Sequence, residues 1–248
     1  MSNWKEIWNG KKISDDIIDL NKMSTEQVFF ELKKLMGITV YSGEGVVCDD
    51  FINQFKTNIS EMTFSTDNSW RATSFFDLGC GTGAYLWLLS KIYSESDERI
   101  ILGGIDYSDA YIKTAKKIIN SNELYSGESI DIDTTRKYDV VYSRSVFQYF
   151  DDEVYAKKVA EKMIIKSTHS AAFLDIHDLS LKEDFLNYRR SVIDDYDKKY
   201  ENTKHLFLPK EFFISLSEEY NCDIKFAKSR LKGYWNDRFT YDVYMFHK

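Results

Sequence analysis

The sequence holds one proline, Pro209, three cysteines and four histidines in 248 residues. A single proline argues against a chain of modules strung on Pro-rich linkers. Cys48, Cys80 and Cys222 have no zinc-ligand spacing, and so sparse and odd a set builds no disulfide framework. The histidines are scattered, so no metal site is expected. Basic residues are outnumbered, 33 against 40 acidic, a net charge of −7. That balance excludes a general nucleic-acid binder, whose partner demands a positive face. No apolar run approaches the ~18 residues of a membrane span, so no membrane partner is expected. The opening Met1-Ser2-Asn3-Trp4-Lys5-Glu6 lacks the basic-then-apolar order of a secretory leader. These absences lead to the expectation of a reduced, cytoplasmic protein acting on small polar molecules.

What is present suffices for a core. Hydrophobic residues are 43% and charged residues 29% of the chain, which is ordinary globular usage. The length suits one large domain or a domain with a cap. Residues 1–68 read as mostly helical, with apolar residues three and four apart over 15–20 and 25–35. Ser24, three residues before Gln27, fits a capping box. Gly37, Gly43 and Gly45 then mark a loop that would permit a moving lid.

From residue 74 the pattern changes. Short apolar runs at 74–78, 100–105, 138–143 and 171–176 read as buried strands. Between them, 84–93, the stretch from Ser108 to about 119, and 152–165 read as helices. Such alternation predicts a parallel sheet with helices on both faces. Residues 181–198 read as a charged helix, and Pro209 is placed to open another over 209–220. Runs at 223–227 and 241–246 have no helix between them, which predicts an antiparallel hairpin at the sheet edge.

The most informative stretch is Asp77-Leu78-Gly79-Cys80-Gly81-Thr82-Gly83, where a strand runs into a glycine-rich turn and then a helix. Such a turn lets a ligand approach the main chain, and the helix start offers free N–H groups. The glycine spacing alone also satisfies the looser dinucleotide pattern. Asp77 separates the two readings. Beside a pyrophosphate its carboxylate would repel; beside the ammonium of an amino acid it would attract. Asp106 ends the next strand, where an acid can accept the hydroxyls of a ribose, and Tyr107 can lay its ring on a purine. Glu128 is placed to receive the exocyclic amine of adenine, with the Ser129 N–H on the ring edge. Together these describe a pocket for S-adenosylmethionine.

The motif 77–83, then Asp106, then Tyr138-Asp139-Val140-Val141-Tyr142-Ser143, resembles the motifs of class I S-adenosylmethionine-dependent methyltransferases over about residues 70–246. The resemblance implies an α/β, Rossmann-like, seven-stranded, mostly parallel sheet ending in an antiparallel hairpin. A helical cap over 1–68 would precede the core at 69–248, which carries a substrate-side insertion at 179–220. Cofactor contacts would come from Asp77, Gly79, Cys80, Gly81, Thr82, Gly83, Asp106, Tyr107, Glu128, Ser129 and Ser143. A narrower likeness, in Trp4–Asn9, 147–150 and 174–178, is to bacterial methyltransferases of surface-polysaccharide gene clusters, including those linked to O-methyl phosphoramidate decoration of capsules.

Ligands of open α/β sheets bind beyond the carboxyl ends of the strands. The acceptor is therefore expected near Arg144 and His177. His177 would be the base for a hydroxyl acceptor; for an anionic acceptor, His177 and Arg144 would orient and neutralise it. Tyr149, Arg189 and Tyr234 are further substrate-side candidates. Plainer readings stand beside these: His177 held by Asp175 and Asp178 without proton transfer, Arg144 merely paired, and Trp4 with Trp8 as a packing stripe. Two other functions compete: a nicotinamide-dependent oxidoreductase using 79–84, and a cofactor-binding module without catalysis.

Overall fold

In a computed structural model, residues 4–9, 22–37, 48–94, 99–121, 123–229, 231 and 233–248 are described. The helix expected at 15–20 and the glycines Gly43 and Gly45 lie outside them. The N-terminal part holds α1 (Trp4–Asn9), α2 (Thr25–Leu35) and α3 (Cys48–Met62). The next elements are β1 (Ser74–Leu78), α4 (Ala84–Ser94), β2 (Ile101–Asp106), α5 (Asp109–Ile118) and β3 (Glu123–Ser126). They are followed by β4 (Tyr138–Arg144), α6 (Glu153–Lys166) and β5 (Ser167–His177). The remainder is α7 (Lys182–Val192), α8 (Tyr196–Lys199), α9 (Lys210–Glu219), β6 (Cys222–Lys228) and β7 (Thr240–His247).

The seven strands form one sheet in the order β3-β2-β1-β4-β5-β7-β6. β1 to β5 are mutually parallel; β7 runs antiparallel between β5 and β6. Every residue of β1 is buried, as a strand covered on both faces must be. One apolar layer gathers side chains of α2, α3, α4 and α5, the other those of α6 and α9. The chain moves outward from β1 in one direction through β2 and β3, then resumes at β4 on the other side. That reversal opens a crevice above β1 and β4.

Local chemistry explains several boundaries. The Ser24–Gln27 capping box forms in full at the start of α2. The Asp152 side chain accepts the Tyr155 N–H and starts α6. Ser108 occupies the N-cap of α5 without a side-chain bond, and its own N–H is donated to Asp106. Pro209 is the residue before α9 rather than its first turn. The expected helix over 181–198 is two pieces, broken before Asp195, whose φ is +55°. β3, not anticipated from the sequence, is four residues with one buried side chain, too short to show a period.

Candidate active site

A cavity of about 640 Å³ opens over the carboxyl ends of β1, β2, β4 and β5, within the roughly 300–1,000 Å³ usual for ligand pockets. Asp77 lies at its floor, 2% exposed, accepting the Tyr142 hydroxyl at 3.1 Å. Burial pushes its pKa from 3.8 up to about 7, and Asp106 adds to the rise; Tyr142, Lys33 and Arg144 oppose it. A buried carboxylate of this kind gains most from a cation placed against it. Above it the turn passes through Gly79 at φ +83° and Gly81 at φ +53°, backbone states that side chains other than glycine rarely take. A Cβ on Gly81 would collide with the Met36 thioether, at the end of α2.

Asp106 braces the turn. Its carboxylate accepts the Gly81 and Ser108 N–H groups, each at 2.9 Å. Burial raises its pKa to about 6 against those two bonds. Both oxygens keep a lone pair for a ligand. Tyr107, Glu128 and Ser129 line the same end.

The centre of the cavity is an ion network. Arg144 is buried. Its Nε lies 3.2 Å from Asp175 Oδ2, one terminal nitrogen donates to Asn58 Oδ1 at 3.2 Å, and the other to Gln54 Oε1. Burial works against its charge, but Asp175 and its neighbours hold the pKa above the usual value. Asn58 also donates to Asp242 on β7 at 3.0 Å, and Asp242 accepts the Asp175 N–H at 2.9 Å. Thus α3, β4, β5 and β7 meet through one guanidinium. Ser145 and Asp175 both hold left-handed backbone, at φ +55° and +60°, and Ser145 Oγ donates to Asp175 at 2.6 Å.

At the far end His177 is 2% exposed. Its Nε2 lies 3.2 Å from the Asn236 amide, not beside a carboxylate as the plainer reading had it, and Nδ1 has no partner among the described residues. Burial first, then the neighbouring His205, push its pKa well below the ordinary value. His205 is 5.0 Å away between ring centres, its pKa lowered to about 4 by burial and by Arg189. Both rings are therefore neutral at pH 7. Trp4 stacks on His205 at 4.9 Å and donates its indole N–H to the Lys204 carbonyl at 3.1 Å. Tyr149 packs edge-on against Trp4 and Trp8.

The structure brings most of the sequence-derived candidates into this lining: Asp77, Gly79, Cys80, Gly81, Asp106, Tyr107, Glu128, Ser129, Arg144, Tyr149, His177 and Tyr234. Four fall outside it. Thr82 is fully buried and donates to the Leu32 carbonyl at 2.8 Å, fastening α2 to the turn. Gly83, at φ +82°, has Ala115 and Ile119 of the α5 region against it, so its bareness serves packing. Ser143 is buried, and its hydroxyl has no partner among the described residues. Arg189 stacks over Trp235 at 4.7 Å and between Tyr196 and Tyr200, behind the pocket wall. Conversely, Trp4 and Trp8 are walls of the cavity as well as packing residues. Sequence reasoning singled out no role for Gln148, although it lies in the 147–150 motif, and missed His205 and Asn236, which lie in loops with no motif. A histidine inside the otherwise apolar 205–208, next to the one proline, was the only local signal.

Residues 76–163 match the pattern of a methyltransferase domain. The chain is 24% identical over 135 residues to a malonyl-acyl-carrier-protein O-methyltransferase of Priestia megaterium, covering 51% of this chain and 44% of that relative. It thus spans under half the length of that curated relative. Among solved structures, the magnesium protoporphyrin IX methyltransferase of Synechocystis PCC 6803 with bound SAH superposes with a TM-score of 0.58 at 11% identity, covering 99% of this chain and 93% of that one. The plantazolicin methyltransferase BpumL, in complex with a triazolic analogue and SAH, gives 0.59 at 15% identity with both chains fully covered (100% each). An amino pentose methyltransferase of Micromonospora echinaspora with bound SAM gives 0.57 at 13%, covering 83% and 94%. These likenesses show a shared fold.

Proposed function

We propose, from the premise that this chain has the class I methyltransferase fold, that it transfers a methyl group from S-adenosylmethionine to an oxygen of a small polar acceptor. One observation carries the reading: a buried carboxylate, Asp77, beneath a glycine turn whose N–H is gripped by a second carboxylate, Asp106. Asp77 would hold the ammonium of the cofactor's amino-acid tail, Asp106 its ribose, and Tyr107, Glu128 and Ser129 its adenine. A diphosphate in the same place would meet two carboxylates and no free positive charge on the turn, which disfavours a dinucleotide.

The bound cofactor supplies a methyl carbon made electrophilic by its sulfonium. When an acceptor oxygen takes that methyl, the electron pair of the carbon–sulfur bond would remain on sulfur, and His177 would be the residue placed to receive the hydroxyl proton. The chain's own residues position, exclude water and receive that proton. Neutral imidazole has the lone pair that accepts it; the burial and the neighbouring His205 that keep His177 neutral also make it a weaker base than a free imidazole. Arg144 holds Asp175 and the strand ends in place.

In the finer reading the acceptor is a phosphorylated or nucleotide-linked precursor of a surface polysaccharide, made in the cytoplasm. The short segments Trp4–Asn9, 147–150 and 174–178 support it. Residues 1–68 then act as a cap and 179–220 as the acceptor-side insertion on the core 69–248; Trp4 meeting His205 at the cavity wall supports that division. Among the described residues no helix is long and apolar enough to cross a membrane.

Thermal melts against S-adenosylhomocysteine, NAD and ATP test the cofactor. S-adenosylhomocysteine is expected to raise the melting temperature and NAD to leave it unchanged; the reverse discards the reading. Acceptors are then screened by a mass gain of one methyl group.

A further inference from the structure

The two ends of the cavity differ in chemistry. Asp77, Asp106 and Glu128 give the end over β1 and β2 a strong negative character. Beyond the Arg144–Asp175 pair, the end over β5 carries rings and neutral polar groups. Gln148 Oε1, His177 Nδ1, His205 Nδ1 and Asn236 Oδ1 are all buried and find no hydrogen-bond partner among the described residues. All four residues line the cavity. Orphaned polar atoms concentrated in one place are what a site built for a hydrogen-bonding ligand leaves behind in its absence.

The charges present do not suit an anion here. The Arg144 guanidinium donates to Asn58 and Gln54 and pairs with Asp175. Arg189 is stacked on Trp235 and donates to the Tyr200 hydroxyl at 3.4 Å; it is near enough to lower the pKa of both histidines, and its Nε has no partner among the described residues. Lys33 lies toward α2, 4.7 Å above the Tyr85 ring and donating to its hydroxyl at 3.4 Å. Both histidines are uncharged, so a phosphate placed among them would lose its hydration with only Arg189, across the Trp235 wall, as counter-charge. Trp4, Trp8 and Tyr149 supply apolar faces with polar edges nearby. Aromatic faces beside unpaired acceptors match a molecule with C–H edges and several hydroxyl donors.

We propose that the half of the cavity bounded by Trp4, Tyr149, His177, His205 and Asn236 binds an uncharged, hydroxyl-bearing saturated ring, its hydroxyls meeting Gln148, His177, His205 and Asn236, and that it rejects phosphate and carboxylate groups at that position. Any phosphate of a larger acceptor lies outside this half. The inference deepens the methyltransferase reading by naming the acceptor's reacting end, but the binding itself is measurable without turnover. The Asn236 amide then has a defined task. With its nitrogen toward His177 Nε2, its oxygen stays open to a ligand hydroxyl, and the His177 tautomer sets whether Nδ1 donates to or accepts from that ligand.

Saturation-transfer difference NMR on the full chain, with and without S-adenosylhomocysteine, reads this directly. The probes are methyl glucopyranoside, methyl galactopyranoside and myo-inositol, each at millimolar concentration, against glucose 6-phosphate, glucuronate and cyclohexanol. At least one neutral polyol is expected to receive saturation and to perturb the tryptophan fluorescence to which Trp4, Trp8 and Trp235 contribute. Asn236→Leu and Gln148→Leu are each expected to weaken it about tenfold or more. Retained S-adenosylhomocysteine affinity in these variants shows that the pocket is still folded. Displacement of the polyol by glucose 6-phosphate or glucuronate at equal or lower concentration overturns the proposal. So does equal binding of cyclohexanol, or no saturation of any neutral polyol. Failure of S-adenosylhomocysteine to bind, with a polyol still saturated, sinks the methyltransferase reading and leaves the ring site standing.

Discussion

Replacing Asp77 by asparagine sets stability against affinity, and the structure gives the size of each. The carboxyl group is buried and its pKa stands at about 7 in the folded chain, against 3.8 when solvated. At about 1.4 kcal/mol for each tenfold change, keeping it charged costs the unliganded fold up to about 4 kcal/mol. Between 3.8 and about 7 only the folded state retains the proton, so the stability of the empty protein declines as pH rises through that window. Asp77→Asn removes that decline, and its melting temperature without ligand at about pH 8 is expected to exceed that of the native chain.

Affinity moves the other way. The ammonium of the cofactor tail needs the ionised form of Asp77. With a pKa of about 7, the ionised fraction falls about tenfold from about pH 8 to about pH 6, so S-adenosylhomocysteine binding weakens by about the same factor. Asp106, at about 6, titrates at the lower edge of this range. 5′-Methylthioadenosine separates the two carboxylates, because it has the ribose but no amino-acid tail; its affinity is expected to stay level through pH 7. In Asp77→Asn the loss of a charge-assisted bond, about 1.5–3 kcal/mol, predicts about 10- to 100-fold weaker S-adenosylhomocysteine binding by calorimetry. Wild-type affinity in that variant, or a flat pH profile for the native chain, refutes the reasoning.

Arg144→Met strands Asp175 and Asp242 without their cation, and urea unfolding is expected to show a loss of about 3–5 kcal/mol. A loss below about 1 kcal/mol would mean that the network is solvated. Gly81→Ala sets a Cβ against Met36 at a φ of +53°, and is expected to cost about 1–3 kcal/mol together with cofactor affinity, read by melting with and without S-adenosylhomocysteine. Trp4→Ala removes the ring stacked on His205 and the bond to Lys204, so KM for the acceptor rises while S-adenosylhomocysteine affinity stays within about twofold. His177→Ala lowers kcat by about 10²–10⁴ with cofactor affinity unchanged; full activity discards its role as base.

The cofactor half was legible because its chemistry is local: a strand, a turn and a helix in one continuous stretch, 74–94, place Asp77, Gly79 and Gly81 by covalent proximity. The acceptor half is assembled from distant pieces. His177 ends β5, Asn236 sits in the β6–β7 link, His205 precedes α9, and only tertiary packing brings them together. Sequence pattern also misjudged neighbours that compete for the same groups. Thr82 reads as a ligand contact until Leu32 arrives from α2 to accept its hydroxyl. Arg144 reads as available for an acceptor until Asn58 and Gln54 converge on it from α3. β3 and the break before Asp195 escaped notice because four residues carry no period and a left-handed aspartate carries no signature.

Ser145 and Asp175 narrow what mutation can explore. Side by side at the ends of adjacent strands, both sit where a Cβ is disfavoured, yet each supplies the oxygen that the other needs. Glycine would relax the backbone and delete the bond; alanine would keep the discomfort and delete the bond as well. Asparagine tolerates the left-handed state and retains a polar group, which leaves it as the cheapest exchange at 145; at 175 it would also take the carboxylate away from buried Arg144. A deep mutational scan scored on abundance alone would therefore single out 145 and 175 beside the cavity, although their intolerance arises from conformation and pairing rather than from turnover.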